Sequence, residues 1–482
     1  MPPRTDIPST HEKALRLNLD PTKYGTLAEI GAGQETAAWF FRVGGASGTV
    51  AKSISAYDMQ MSDAIYGTSP RYVSRDRLRA MLDHEYPLLN ERLSKRCATT
   101  TFFAFANTVR ARAFRDKEGT ECHGWMGIRF QTAPGSTPHE VLLHCRMFDP
   151  SNLEQQRHLG ILGVNLIHAA FYYRDDLELF VESLLDDLSH RIMEVDMLKF
   201  SGAEFATIDN RECALMLVEK DLTDSALFTA EGEVIQASEK LYKQPVLVLR
   251  GSFNPVTRVG MDILNSARMT FQSHLSEPGK PFVEVMEFSM NSYFRPLGKI
   301  DHTDFLRRAS ILQQMGKNVL ISKFNAFHRL AAYLTQHTTE PVALTLSVDV
   351  FEKLFQDTYY EDLPGGIMES FGRLFKHAVR LYVYPVYDRE KQTMRSVDEA
   401  IIPVRFHPLL VFLAQNEKIV PLTASVGPEL LQHWTTEVRQ MMDAGNPQWK
   451  ALVPGELIPA YEQQLQAAQA QGTSVTRSLP KE

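Results

Sequence analysis

The chain has 482 residues, too many for one ordinary core, so two or three domains are expected. Hydrophobic residues at 44% and charged residues at 23% suffice for packed domains, which excludes wholesale disorder. A formal net charge of −7 argues against a nucleic-acid-coating surface, and nucleic acid is not an expected partner, although a local basic pocket for a phosphate ligand remains open.

The start, MPPRTDIPSTHEKALRLNLD, lacks the apolar core of a signal peptide, and the apolar run near Ile161 to Tyr173 is too short and interrupted to span a bilayer. A soluble, cytoplasmic protein without membrane contact is expected. The four cysteines, at 97, 122, 145 and 213, form neither a disulfide framework nor a CxxC zinc pattern. Cys122-His123 and His144-Cys145 could pair as metal ligands, but both lie in strand-like runs, where adjacent side chains point to opposite faces, and no metal site is assigned.

In chain order, a polar leader precedes a helix over Leu27 to Phe41 and a strand over Val50 to Tyr57. Arg75 to Leu93 has helical periodicity; Thr101 to Arg112, Gly124 to Ala133 and Glu140 to Phe148 read as strands, and Leu153 to Tyr172 as a helix. Residues 24–172 therefore make an α/β layered domain. Residues 173–244 read as a small α+β connector, with a charged amphipathic segment, DDLELFVESLLDDLSHRIMEV, and β-like pieces such as CALMLVEK. From Pro245 strands and helices alternate regularly: strands over Val246 to Leu249, Val283 to Phe288, Val319 to Ser322, Val342 to Ser347 and Val379 to Val386, with a last one near Ile419. The intervening helices are Val259 to Phe271, Asp304 to Met315, Ala326 to Leu334, and finally Thr435 to Asp443. Apolar strands so spaced imply a doubly wound, Rossmann-like parallel sheet over residues 245–465, whose ligands bind at the carboxyl ends of the strands. The expected fold is thus α/β in two domains with a connector.

Strand VLVL runs into Arg250-Gly251-Ser252-Phe253-Asn254-Pro255-Val256-Thr257-Arg258-Val259-Gly260. A glycine after a buried strand lets backbone approach a phosphate, and the next helix offers free N–H groups and a positive dipole. The same residues also suit a plain strand-to-helix turn. Farther on, Trp434-Thr435-Thr436-Glu437-Val438-Arg439 precedes Trp449-Lys450-Ala451-Leu452-Val453-Pro454. There the threonines could cap a helix with Arg439 exposed, or the helix start and the guanidinium could hold an anion.

The first segment resembles the GxFxPxHxGH signature of the nucleotidyltransferase superfamily, with Gly251, Phe253, Pro255 and Thr257 on matching positions; threonine for the first histidine also occurs among relatives that adenylylate phosphopantetheine. The second histidine falls on Gly260. The second segment is similar to the ISSTxxR helix start and WxxLVP continuation of the nicotinamide/nicotinate mononucleotide adenylyltransferases. Between them, Glu287-Phe288-Ser289, Asn291, Pro296-Leu297 and Arg307-Arg308 resemble the stretch after that family's second strand, and Ser347-Val348-Asp349, Phe355 and Tyr359-Tyr360 the segment that holds the mononucleotide or ribose. The resemblance implies ATP and Mg²⁺ and a pyridine mononucleotide; a homo-oligomer is expected of the chain. It implies catalytic roles for Thr257, for Arg258 as a replacement cation and for Arg439, with nucleotide contacts from Gly251, Ser252, Phe253, Asn254, Asp349, Thr435 and Thr436. A pseudoenzyme that houses a nucleotide without turnover is the alternative.

In the first half, Ala28-Glu29, Gly33, Val43-Gly44-Gly45-Ala46-Ser47, Ser55-Ala56-Tyr57, Tyr66-Gly67 and Val73-Ser74 follow an order that resembles the C-terminal domain of the competence-damage-inducible proteins, which include nicotinamide-mononucleotide amidases. The nucleophilic serine of that family's AESCTGG motif falls on Ile30, and an isoleucine can neither attack a carbonyl nor donate a proton. An inactive dimerising or ligand-binding module is expected there.

Overall fold

In the computed structural model, which describes residues 7–116, 120–290 and 301–470, the chain forms two compact units, Met1–Ala226 and Leu227–Glu482. The fold class is α/β. Among the described residues no helix is long and apolar enough to cross a membrane.

The first unit runs α1 (Thr10–Asn18), β1 (Lys23–Gly31), α2 (Glu35–Arg42), β2 (Val50–Ile54), α3 (Met59–Tyr66), α4 (Arg75–Arg92), β3 (Thr101–Arg110), β4 (Cys122–Phe130), β5 (His139–Met147), α5 (Asn152–Tyr172), α6 (Leu177–Ser183), β6 (Met193–Ser201) and α7 (Asn210–Glu219). Its six-stranded sheet has the order β2-β1-β3-β4-β5-β6. Strands β2, β1 and β3 are parallel, and β3, β4, β5 and β6 are antiparallel neighbours, with α5 and α6 intervening between β5 and β6.

Two readings are corrected in this unit. Leu27 to Phe41 is not one helix: Leu27 to Gly31 end strand β1, Gly31 turns with φ +76°, and only Glu35 onward is helical. A strand with parallel neighbours on both sides is buried on both faces, so its apolar run shows no period of two. CALMLVEK, read as β-like, lies in α7, where Cys213, Ala214, Leu215, Leu217 and Val218 are all buried and Asp209 caps the first turn. A helix covered on most sides carries the same ambiguous apolar run. Of residues 173–244, α6, β6 and α7 lie in the first unit, β6 at the edge of its sheet, and the remainder passes into the second sheet.

The second unit's strands are β7 (Ser225–Phe228), in which the division between the units falls, β8 (Val234–Ile235), β9 (Val246–Arg250), β10 (Val283–Ser289), β11 (Asn318–Ser322), β12 (Val342–Ser347), β13 (Val379–Tyr384), β14 (Val386–Asp388), β15 (Thr393–Arg395) and β16 (Ile419–Pro421). Its helices are α8 (Ala237–Leu241), α9 (Arg258–Ser273), α10 (His302–Gln314), α11 (Phe327–His337), α12 (Val348–Lys353), α13 (Gly366–Leu374), α14 (His407–Gln415), α15 (Pro428–Leu431), α16 (Thr435–Asp443) and α17 (Ile458–Ala470). The sheet order is β16-β13-β12-β9-β10-β11-β7-β8. From β16 to β11 every neighbouring pair is parallel. The chain therefore starts in the middle at β9, winds outward through β10 to β11, then returns to the other side of β9 with β12 and winds outward again. The reversal lies between β9 and β12.

Candidate functional site

Strand β9 delivers its carboxyl end at that reversal, and the loop from Gly251 to Thr257 follows directly. Arg250 is fixed at the strand end: its guanidinium donates to both carboxylate oxygens of the buried Glu287, at 2.5 and 3.0 Å, and to the Phe324 carbonyl at 2.6 Å. Ser322 adds a bond to the same carboxylate at 2.5 Å. A Cβ at Gly251 would sit 3.1 Å from the ring of Phe253, close enough that the ring would have to shift by a few tenths of an ångström. The Gly251 N–H is already taken by the Glu287 carbonyl at 3.0 Å. Phe253 holds φ at +48°, a left-handed conformation that a bulky residue adopts only when its surroundings enforce it, and its ring is buried. The Val256 N–H donates to the Tyr461 hydroxyl at 2.8 Å.

Thr257 is the N-cap of α9 and is buried; its hydroxyl oxygen accepts from the Gly260 N–H at 3.1 Å, leaving its own hydrogen to donate. Arg258 is exposed: its backbone N–H donates to the Leu452 carbonyl at 2.8 Å and its side chain to the Ala451 carbonyl at 3.3 Å. The segment Trp449 to Pro454 is thereby seated on the start of α9.

The atom on which the loop and α16 meet is Asn254 Oδ1. It accepts from Arg439 Nη1 at 3.2 Å and from Arg307 Nη2 at 3.1 Å. Arg439 also pairs with Asp443 at 2.9 Å, and Arg307 donates to Gln464 at 2.6 Å and pairs with Asp304. Arg308 donates to the Ser252 carbonyl at 3.2 Å and pairs with Asp304 as well. Burial alone would raise the Asp304 carboxyl, but Arg308 and Arg307 outweigh it and hold it below the ordinary range. Burial pushes the Tyr461 phenol up to about 12, against the opposing pull of the Val256 N–H and of Arg307, Arg308 and Arg439.

The other singled-out residues divide. Trp434, not a threonine, is the N-cap of α16 and makes no side-chain cap bond; Thr435 and Thr436 are half-buried at its first two positions. Asp349, in the first turn of α12, is exposed and paired with Arg395 at 2.7 Å. Asn291, Pro296 and Leu297 lie outside the described residues. Sequence reading passed over a cavity of about 170 Å³ at the ends of these strands, lined among others by Arg250, Phe327, His328, Tyr359, Tyr360 and Ser370. His328 Nδ1 and Ser370 Oγ are 3.0 Å apart in its wall. Only the Tyr359-Tyr360 pair had signalled it.

In the first unit Ile30 is buried, and Glu29 next to it accepts from the Thr36 and Ala37 N–H groups at the start of α2 and from Asn107 Nδ2 at 2.9 Å. Burial pushes the Glu29 carboxyl up to about 7 despite those bonds. The two Cys/His pairs do split across the sheet: Cys122 and Cys145 enter the core, while His123 and His144 face each other with ring nitrogens 3.0 Å apart. His144 spends its other nitrogen on Asp196 at 2.6 Å. Burial, then His144, push His123 down to about 3. Among the described residues no group of three His, Cys, Asp or Glu side chains could hold a metal ion.

No protein family matches the chain, and no curated protein matches it. Among solved structures, it is similar to the competence/damage inducible protein CihA from Agrobacterium tumefaciens, at 17% identity over 34% of this chain and 98% of that one, with a TM-score of 0.26. A competence or damage-inducible protein from Enterobacter asburiae (13% identity, 34% and 98% covered, TM-score 0.25) and a competence-damaged (CinA) superfamily protein from Klebsiella pneumoniae (14%, 33% and 96%, 0.26) are similar to the same degree. Likeness at this level shows neither a family nor an activity, and it does not bear on the nucleotidyltransferase resemblance.

Proposed function

We propose that the second unit binds ATP at the carboxyl end of β9 and transfers its adenylyl group to a pyridine mononucleotide, nicotinamide or nicotinate mononucleotide, forming a dinucleotide. The observation that carries this is the meeting of Arg439 with Asn254: two segments 185 residues apart, each resembling a phosphate-binding motif of the same family, share a hydrogen bond. The strand order supports it, because numbering the six parallel strands along the chain gives the 3-2-1-4-5-6 order of a doubly wound Rossmann-like sheet, whose ligands sit at the point of reversal.

In the reaction a mononucleotide phosphate oxygen attacks the α-phosphorus of ATP, the bond from that phosphorus to the oxygen bridging to the β-phosphate breaks, and pyrophosphate leaves. Such a transfer needs positioning and charge stabilisation and no side-chain nucleophile. Thr257 donates its hydroxyl hydrogen to a phosphate oxygen and Arg439 clamps the terminal phosphates bidentately. Gly251 serves the loop's shape and not as a donor, since its N–H is engaged. Mg²⁺ screens the phosphate charge when it arrives with ATP; Asp304 and Asp443, the carboxylates beside the loop, are committed to arginines. The aromatic cavity takes the planar base of the mononucleotide.

A second reading, nucleotide binding without turnover, is favoured by the glycine at 260, where the signature carries a histidine that contacts the triphosphate. Removing one donor to a transition-state charge costs about a hundred- to thousandfold in rate, so slow turnover survives it. Pyrophosphate release on mixing the full chain with ATP, Mg²⁺ and each mononucleotide tests the proposal. Release that needs both substrates supports transfer; saturable binding of ATP without release selects the second reading, and neither binding nor release defeats both.

A further inference from the structure

A loop that lacks its histidine needs a cation from elsewhere, and Arg258 shares none of the partners that gather around Asn254. The cations that do reach the loop come from α10 and α16. Arg307 and Arg439 donate to one neutral amide oxygen, at 3.1 and 3.2 Å, while Arg308 holds the Ser252 carbonyl at 3.2 Å. Two guanidiniums converging on a single neutral atom is an unfavourable arrangement for like charges, eased by the pairing of Asp304 with Arg307 and Arg308 and of Asp443 with Arg439. An anion in place of the amide oxygen would relieve it. Both Arg307 and Arg439 are held by further bonds, to Gln464 and Asp304 and to Asp443, so they are already oriented and lose little freedom on binding.

We propose that Arg307 and Arg439 form a two-armed clamp for a condensed phosphate chain, with Asn254 Oδ1 marking the position of a phosphate oxygen and Arg307 supplying the cation absent at position 260. The clamp rests on the reading of this loop as a nucleotide site and names its preference: a di- or triphosphate, which can give one oxygen-rich group to each arm, over a monophosphate, which cannot. Asn254 acts as a stand-in ligand that swings aside when the phosphate arrives. No bond is made or broken in this step.

The test is calorimetric titration of the full chain with inorganic pyrophosphate, ATP and AMP, repeated on Arg307→Ala, Arg307→Lys and Arg258→Ala, with the unliganded melting temperature of each recorded. Pyrophosphate and ATP should compete for one site, with AMP at least tenfold weaker. Arg307→Ala should weaken pyrophosphate at least tenfold, and Arg307→Lys should recover part of that loss. If an alanine at 307 unfolds the chain, the lysine variant alone decides, since it keeps the charge and loses the fork; affinity equal to wild type in a folded lysine variant would then count against the clamp. Unchanged affinity in Arg307→Ala, or loss only in Arg258→Ala, overturns the clamp and leaves the nucleotide reading standing. Absence of binding by ATP and pyrophosphate to wild type overturns both.

Discussion

Asn254→Asp should make the protein more stable and a worse nucleotide binder. The substitution is isosteric and replaces the neutral oxygen between Arg307 and Arg439 with a carboxylate, 3.1 and 3.2 Å from their nitrogens. Both bonds already have a charged donor, so the carboxylate adds only the ion-pair attraction, about 0.5–1 kcal/mol for each pair at these partly buried side chains. Two such pairs, at side chains that are 21% and 16% exposed, give a net gain of about 1–2 kcal/mol. For a unit of this size that is about 2–8 °C in melting temperature. The same carboxylate occupies both arginines and repels phosphate, so ATP affinity should fall at least about a hundredfold, or about 2.7 kcal/mol. Differential scanning fluorimetry and ATP titration on one preparation measure both. A lower melting temperature, or an ATP affinity within about threefold of wild type, would refute the assignment of this oxygen as the phosphate position.

Arg439→Ala should weaken ATP at least about tenfold by losing a charge-assisted bidentate contact, and should lower stability by about 1 kcal/mol because Asp443 loses its partner, as titration and urea denaturation would show. Gly260→His should fold normally, since a Cβ there meets only Thr257 Oγ1 at 3.4 Å, and should raise pyrophosphate release from ATP and nicotinamide mononucleotide; unchanged release would show that the glycine is not what limits turnover. Glu29, raised from 4.5 to about 7, keeps a proton in the folded chain that the unfolded chain loses, so its stabilising share is complete below pH 4.5 and falls by about 3 kcal/mol as pH rises through 7. The stability difference between wild type and Glu29→Gln should change by that amount across the window, and a constant difference would contradict the buried, protonated carboxyl. The first unit should release no ammonia from nicotinamide mononucleotide above a blank, as follows from the resemblance that sets Ile30, a buried side chain without a nucleophilic atom, at the serine position.

The alternating half was legible because its local signals agree: VLVL is a buried strand, Gly251 keeps a side chain out of the space beside the Phe253 ring, and Thr257 caps the helix that its spacing announced. The edge strands β7 and β8 were not, since two to four residues carry too little pattern to separate them from a connector. Leu27 to Gly31 failed for the opposite reason, an apolar run long enough to fit either element. In the candidate site the motifs named Asn254 and Arg439 separately, but Arg307 was noted only as part of a resembling stretch. What makes it significant, its bond to Asn254 across 53 residues, is a property of the folded sheet and has no local signal. The sequence offered Arg258 as the replacement cation because it is next to the loop in the chain; in space it shares no partner with Asn254.

The central claim is that the second unit holds a nucleotide at the end of β9. A thermal-shift series on the full chain with ATP, nicotinamide mononucleotide, nicotinate mononucleotide and NAD, each with Mg²⁺, tests it most directly, because a ligand that binds only the folded state adds about 2.7 kcal/mol at a hundred times its dissociation constant. ATP and NAD should each raise a melting transition by about 5 °C or more at saturation, and Arg439→Ala, with affinity at least about tenfold weaker, should cut the ATP shift to about half or less. No shift with any of the four at concentrations of about 10 mM, well above ordinary nucleotide affinities, would contradict the account.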